Sequence, residues 1–182
     1  MTLLDAFLRY DIPPFIRRRA INRIVRLTAE AFGAAPPDVS GLKPEAVLQR
    51  YALFTREEVS RLRQHPGDIP AVQERLYTSS MAMASTYRKL LGVNNWDAAA
   101  AVSRKVYGYI GIAMDSSPRG DITISTCFFS RYYSPETCEV VSSLDSGMIA
   151  GLAGEGELTF TSRLTEGATC CRACFRHRRP QR

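Results

Sequence analysis

Residues 121–145, DITISTCFFSRYYSPETCEVVSSLD, decide the fold. The first nine alternate: Ile122, Ile124, Thr126 and Phe128 fall on one face, Thr123, Ser125, Cys127 and Phe129 on the other. That period of two predicts a strand. Ser134–Pro135–Glu136 then opens a helix, with Ser134 as N-cap and Pro135 in the first turn. The helix is expected to run to about Ser143 and to stop near Asp145–Ser146–Gly147. Two further strands follow the glycine-rich GLAGEGE: LTFTSRL (158–164), with Leu158, Phe160 and Leu164 on one face, and TCCRACF (169–175), the two joined by a turn at TEGA.

Upstream the period is helical. Helices are expected over 16–32, 43–51, 70–91 and 97–109, broken at Gly33, Pro36–Pro37 and His65–Pro66–Gly67. Thr55 with Glu58 three residues on has the form of a capping box for EEVSRLRQH. Asp97 is expected to cap the last of these helices. The order of elements gives an α+β chain, N-terminal helices followed by an antiparallel β-α-β-β unit. It reads as a single domain over 1–182. Residues 1–115 form a mainly helical half, 120–176 a β-rich half, and 177–182 a basic tail.

All five cysteines lie in the β-rich half: Cys127, Cys138, Cys170, Cys171 and Cys174. Thiols supply nucleophiles, soft metal ligands and redox couples, so chemistry is sought there. On an extended strand, Cys170 and Cys174 share one face and Cys171 takes the other with Ala173 and Phe175. Four residues of strand span about 13 Å, too far for two ligands of one zinc without a bend. An iron–sulfur or zinc site drawn from Cys127, Cys138, Cys170, Cys171 and Cys174 therefore stands as the alternative reading. Neither histidine, His65 at a helix break or His177 near the tail, falls where a Cys/His dyad would need it.

The net charge is +6, and five arginines between Arg172 and Arg182 account for most of it. A second cluster, Arg17, Arg18, Arg19, Arg23 and Arg26, lies opposite Ile16, Ala20, Ile21, Ile24 and Leu27, as on a docked amphipathic helix. No aromatic–basic interleaving or zinc-finger spacing accompanies it, so nucleic acid is disfavoured. No apolar run reaches the length of a membrane span. Asp5 and Arg9 interrupt the apolar N-terminus, which does not read as a signal peptide. A cytoplasmic protein with reduced thiols is expected, and a homodimer is compatible with the composition.

The order of a cysteine closing a strand, an aspartate after a helix, and an R-x-T-x-G-(x)3-C hairpin resembles the L-2-amino-thiazoline-4-carboxylic acid hydrolase-like family. The residues that carry the likeness are Cys127, Asp145, Arg163, Thr165, Gly167, Cys171 and Phe175, and it extends over about 70–176. The C-terminal half of that family is similar to vinyl-reductase-type ligand-binding domains. The resemblance implies hydrolysis of C–N bonds in a small heterocycle such as a thiazoline. Cys127 or Cys171 would be the nucleophile and Asp145 or Glu166 would move protons. Arg163, with Thr165, would hold a substrate carboxylate. Ser142–Ser143 stand where the family pattern has a further cysteine, and Cys138, Cys170 and Cys174 are particular to this chain. A non-catalytic ligand-binding module is the remaining alternative.

Overall fold

The computed structural model describes residues 2–177; the basic run over 178–182 lies outside them. Six α-helices and a four-stranded antiparallel sheet give the α+β architecture expected. The helices are α1 (Leu3–Arg9), α2 (Pro14–Phe32), α3 (Pro44–Leu62), α4 (Ile69–Leu91), α5 (Trp96–Gly108) and α6 (Pro135–Ala153). The strands are β1 (Ile112–Ser116), β2 (Asp121–Cys127), β3 (Gly156–Ser162) and β4 (Cys171–His177). The sheet order is β1-β2-β4-β3.

Several starts and stops have a local cause. The Ser134 hydroxyl accepts from Thr137 N at 3.2 Å and Pro135 occupies the first turn, as expected for α6. Asn95, not Asp97, caps α5: its side chain accepts from Ala98 N at 2.9 Å. Gly33 and Gly92 end α2 and α4 in left-handed geometry, at φ 68° and 71°, which glycine adopts without strain.

Three further expectations are corrected. Thr55 is not a cap but sits inside a continuous α3. Its hydroxyl bonds back to Tyr51 O at 3.0 Å and meets Tyr133 Oη at 2.7 Å, while Glu58 pairs with Arg61. α6 does not stop at Asp145–Gly147 but continues to Ala153. Its Gly147 and Gly151 lie against the backbone of α4, and that contact is the most extensive between any two elements. The helical half ends earlier than 115, because Ile112–Ser116 forms β1, with Ile112 and Met114 buried and Ala113 and Asp115 exposed. Strand β4 lies between β2 and β3 and pairs with both.

The buried face of the sheet carries Ile112, Met114, Ile122, Cys171, Ala173 and Phe175. Across the terminal hairpin Leu158 opposes Phe175 and Phe160 opposes Ala173, the pairing that strand alternation predicts. Trp96 stacks on Phe175 with ring centroids 5.2 Å apart and donates its indole N–H to Ser117 O at 2.8 Å. That one residue pins α5 to both the β1–β2 turn and β4.

One irregularity positions the site. In the β1–β2 pairing Ala113 opposes Thr126 but Met114 opposes Ile124, so Ser125 is an extra, unpaired residue. This β-bulge reverses the alternation beyond it. Unbroken alternation would turn Cys127 away from Ile122 and Ile124. With the bulge, Cys127 pairs with buried Ile112 and packs on the core side.

Candidate active site

A cavity of about 90 Å³ lies between the sheet and the helices. Helix α6 sends one face into it: Cys138, Val141, Asp145 and Met148, spaced three, four and three. The end of β2 supplies Cys127, the start of β4 supplies Cys171, and the turn between β3 and β4 supplies Leu164 and Thr165. Tyr51 of α3, Tyr107 of α5 and Tyr133 complete an aromatic wall. At about 10–15 Å³ for each water, the space holds several waters or a ligand of a few heavy atoms.

Asp145 is the polar centre. It is half-buried and lines the cavity. Tyr107 Oη donates to its Oδ1 at 2.8 Å. Burial penalises the carboxylate more than this hydrogen bond helps it, and its pKa rises from 3.8 to about 6. A carboxyl group poised there exchanges protons near neutral pH.

The thiols behave differently. Burial pushes Cys127 up to about 12 and Cys138 up to about 11. Burial also raises Cys171, whose sulfur accepts from Leu164 N at 3.3 Å. All are protonated at neutral pH, and nearby Asp145 adds to the rise in each. An activated thiolate needs an electropositive setting; here burial outweighs the Arg163 charge that favours the thiolates of Cys138 and Cys171.

Of the residues singled out from the sequence, Cys127, Cys138, Asp145, Thr165 and Cys171 converge on the cavity. Arg163 lies just outside that lining. Its guanidinium rests over the Phe160 ring at 4.8 Å and reaches Glu166 at 3.5 Å. Glu166 does not enter the cavity: its side chain is 44% exposed and also accepts from Arg163 N at 3.1 Å, closing the turn. Cys174 points from the opposite face of β4, beside Asp121 and Thr159, and Cys170 precedes that strand away from the cavity. The five cysteines therefore do not come together. All five are free thiols, and no group of three or more His, Cys, Asp or Glu among the described residues is placed to hold a metal ion.

Two polar atoms at the rim are orphaned. Thr165 Oγ1 and Arg163 Nε are buried and meet no partner in hydrogen-bond geometry among the described residues, although the Thr165 hydroxyl lies near enough to the Cys138 thiol to favour its thiolate. Leaving such groups unpaired costs on the order of 1–3 kcal/mol each; a ligand that satisfies them recovers it. The three tyrosines were not legible as site residues. They lie in separate helices and a turn, and a tyrosine at core spacing looks like any other core aromatic. The one available signal was that a buried tyrosine hydroxyl needs a partner.

Comparison with family models, curated proteins and solved structures finds no match to this chain.

Proposed function

We propose that the chain is a small-molecule hydrolase that opens a C–N bond of a small heterocycle, as its resemblance to the thiazoline-carboxylate hydrolase-like family implies. The observation that carries the reading is Asp145, a carboxyl group held near pKa 6 inside an otherwise apolar cavity. Water, not a thiol, is the attacking nucleophile, because the cavity thiols stay protonated. Asp145 takes a proton from water as its oxygen bonds to the C=N carbon. It passes that proton to the ring nitrogen, which turns the C=N into a C–N single bond; it then carries the proton of the new hydroxyl to the same nitrogen as the hydroxyl becomes a carbonyl and the C–N bond breaks, so the net change is addition of one water. Tyr107 orients the carboxylate. Arg163 and Thr165, with their unpaired donors at the rim, receive the substrate carboxylate.

The test is incubation of the purified chain with a 2-amino-thiazoline carboxylate, read by mass spectrometry as gain of one water. Absence of turnover across a panel of small thiazoline and related ring carboxylates would overturn the reading. Within an active enzyme, Arg163→Gln is expected to raise KM about 10- to 100-fold with a smaller change in kcat, the signature of lost ground-state binding. Cys127→Ser and Cys171→Ser are expected to keep kcat within about tenfold of wild type, whereas loss of a nucleophile would cost orders of magnitude more.

A second reading, a ligand-binding module without catalysis, is favoured by the lining itself. Ile24, Val106, Ile110, Ile112, Phe129 and Leu144 give it apolar walls, as in sites that hold apolar ligands. A small molecule retained in a native mass spectrum, with no turnover, is its expected result.

A further inference from the structure

The N-terminal corner of the fold exposes apolar side chains that the core does not use. Phe15 is 72% exposed, Tyr10 57% and Ile16 45%. They sit where the chain turns from α1 into α2 through Pro13–Pro14. The corner is anchored. Lys105 Nζ donates to Tyr10 O at 2.8 Å and to Leu8 O at 3.2 Å, and Ile12 N donates to Tyr109 Oη at 3.2 Å. The Arg17 guanidinium lies 4.7 Å above the Tyr109 ring.

Behind the corner runs a cationic stripe. Phe15, Arg19, Arg23 and Arg26 are spaced four, four and three, so they share one face of α2. All are exposed, as is Arg18. None of these arginines makes an ion pair among the described residues. The nearby Asp11 carboxylate is engaged by Tyr109 Oη at 3.1 Å, and Glu30 marks the far end of the stripe. From Arg19 to Arg26 the stripe is about 10 Å long.

We infer that this face docks on an anionic lipid bilayer surface, with Phe15 and Ile16 entering the acyl boundary and Arg19, Arg23 and Arg26 meeting lipid phosphates. The pattern is that of an interfacial helix, apolar groups beside a row of cations. An aliphatic Ile16 and two prolines offer nothing to a nucleotide base, which favours lipid over single-stranded nucleic acid. The attachment is peripheral: no helix among the described residues is long and apolar enough to cross a membrane. It stands apart from the cavity and does not rest on the hydrolase reading.

The experiment is co-sedimentation of the full chain with vesicles of phosphatidylcholine alone and of phosphatidylcholine with phosphatidylserine, at low and high salt. Binding is expected to the mixed vesicles only and to weaken with salt. R19E/R23E/R26E is expected to reduce partitioning about a hundredfold, at several-fold for each arginine. Phe15→Ser is expected to reduce it as well, and both variants, altered only on the surface, should melt like wild type. Three outcomes overturn the inference: no binding to the mixed vesicles; undiminished binding by the triple variant, which assigns it to the basic C-terminal tail; or a preference for a single-stranded oligonucleotide that Phe15→Ser leaves unchanged.

Discussion

Alanine in place of Gly147 is expected to destabilise the protein by about 3 kcal/mol, lowering the melting temperature by about 10 °C. A Cβ there would fall on Ser80 Oγ and on the Tyr77 carbonyl, 2.9 Å from its carbon. Neither neighbour can retreat easily. The Ser80 hydroxyl is fully buried and already donates to Leu76 O at 2.7 Å, and the Tyr77 carbonyl belongs to the backbone of α4. One turn on, Gly151→Ala would press on Ala84 Cβ at 2.7 Å and Ser85 N at 3.0 Å. The two helices must separate or bend. The gain in helix propensity, about 1 kcal/mol for glycine to alanine, offsets only part of this. Gly108→Ala is the control. Nothing lies within 4 Å of its Cβ position and its φ is ordinary, so it should be neutral or slightly stabilising. Thermal unfolding of the three variants checks the argument. Wild-type melting by Gly147→Ala would mean that α4 and α6 do not approach as closely as described.

The same glycines mark the limit of local pattern. The local pattern ends the helix near Asp145–Ser146–Gly147 and makes the glycine-rich stretch beyond it a loop, as fits the low helix propensity of Gly147 and Gly151. Their purpose is tertiary: they let two helix backbones meet, and a cost local to α6 is offset by packing that no local pattern displays. Thr55 misled for a related reason. Its Ser/Thr-x-x-Glu spacing matches a cap, yet the hydroxyl can equally bond back within a helix, and Tyr133, far along the chain, supplies its other partner. The order of elements was legible because it rests on periodicity, which is local. So was the division of Cys171 from Cys170 and Cys174. The side of the sheet to which Cys127 belongs was not. It depends on one unpaired residue, Ser125, and a bulge appears only in the pairing between two strands. Asp145 belongs to the motif that carries the resemblance, but the local pattern puts it at a helix end. Only the continuation of α6 places it mid-helix, where it faces the cavity and Tyr107 from α5.

Asp145→Asn is expected to reduce turnover by about 10² to 10⁴ and, at pH 8, to make the protein more stable. The two effects share one cause. Burial raises the folded-state pKa of Asp145 from 3.8 to about 6, so the fold prefers the neutral acid. The corresponding stabilisation is fully present below about pH 4 and is lost as pH rises through about 6; linkage sets it at about 3 kcal/mol. Asparagine resembles the neutral acid, and its Oδ1 can still accept from Tyr107. It escapes the loss, so the variant and the wild type should match near pH 4 and diverge above pH 6. Its amide N–H groups, unpaired in an apolar wall, reduce the gain. Catalysis runs the other way. The carboxylate that takes a proton from water is the ionised form, so kcat/KM of the wild type should rise with pH through about 6 while stability falls through the same window. Urea unfolding of both proteins at pH 4 and pH 8, beside a pH–rate profile of the wild type, separates the possibilities. Wild-type turnover by Asp145→Asn would remove the residue from the chemistry. A stability difference that does not change with pH would mean that Asp145 is not desolvated, and the acid–base role would lose its physical basis.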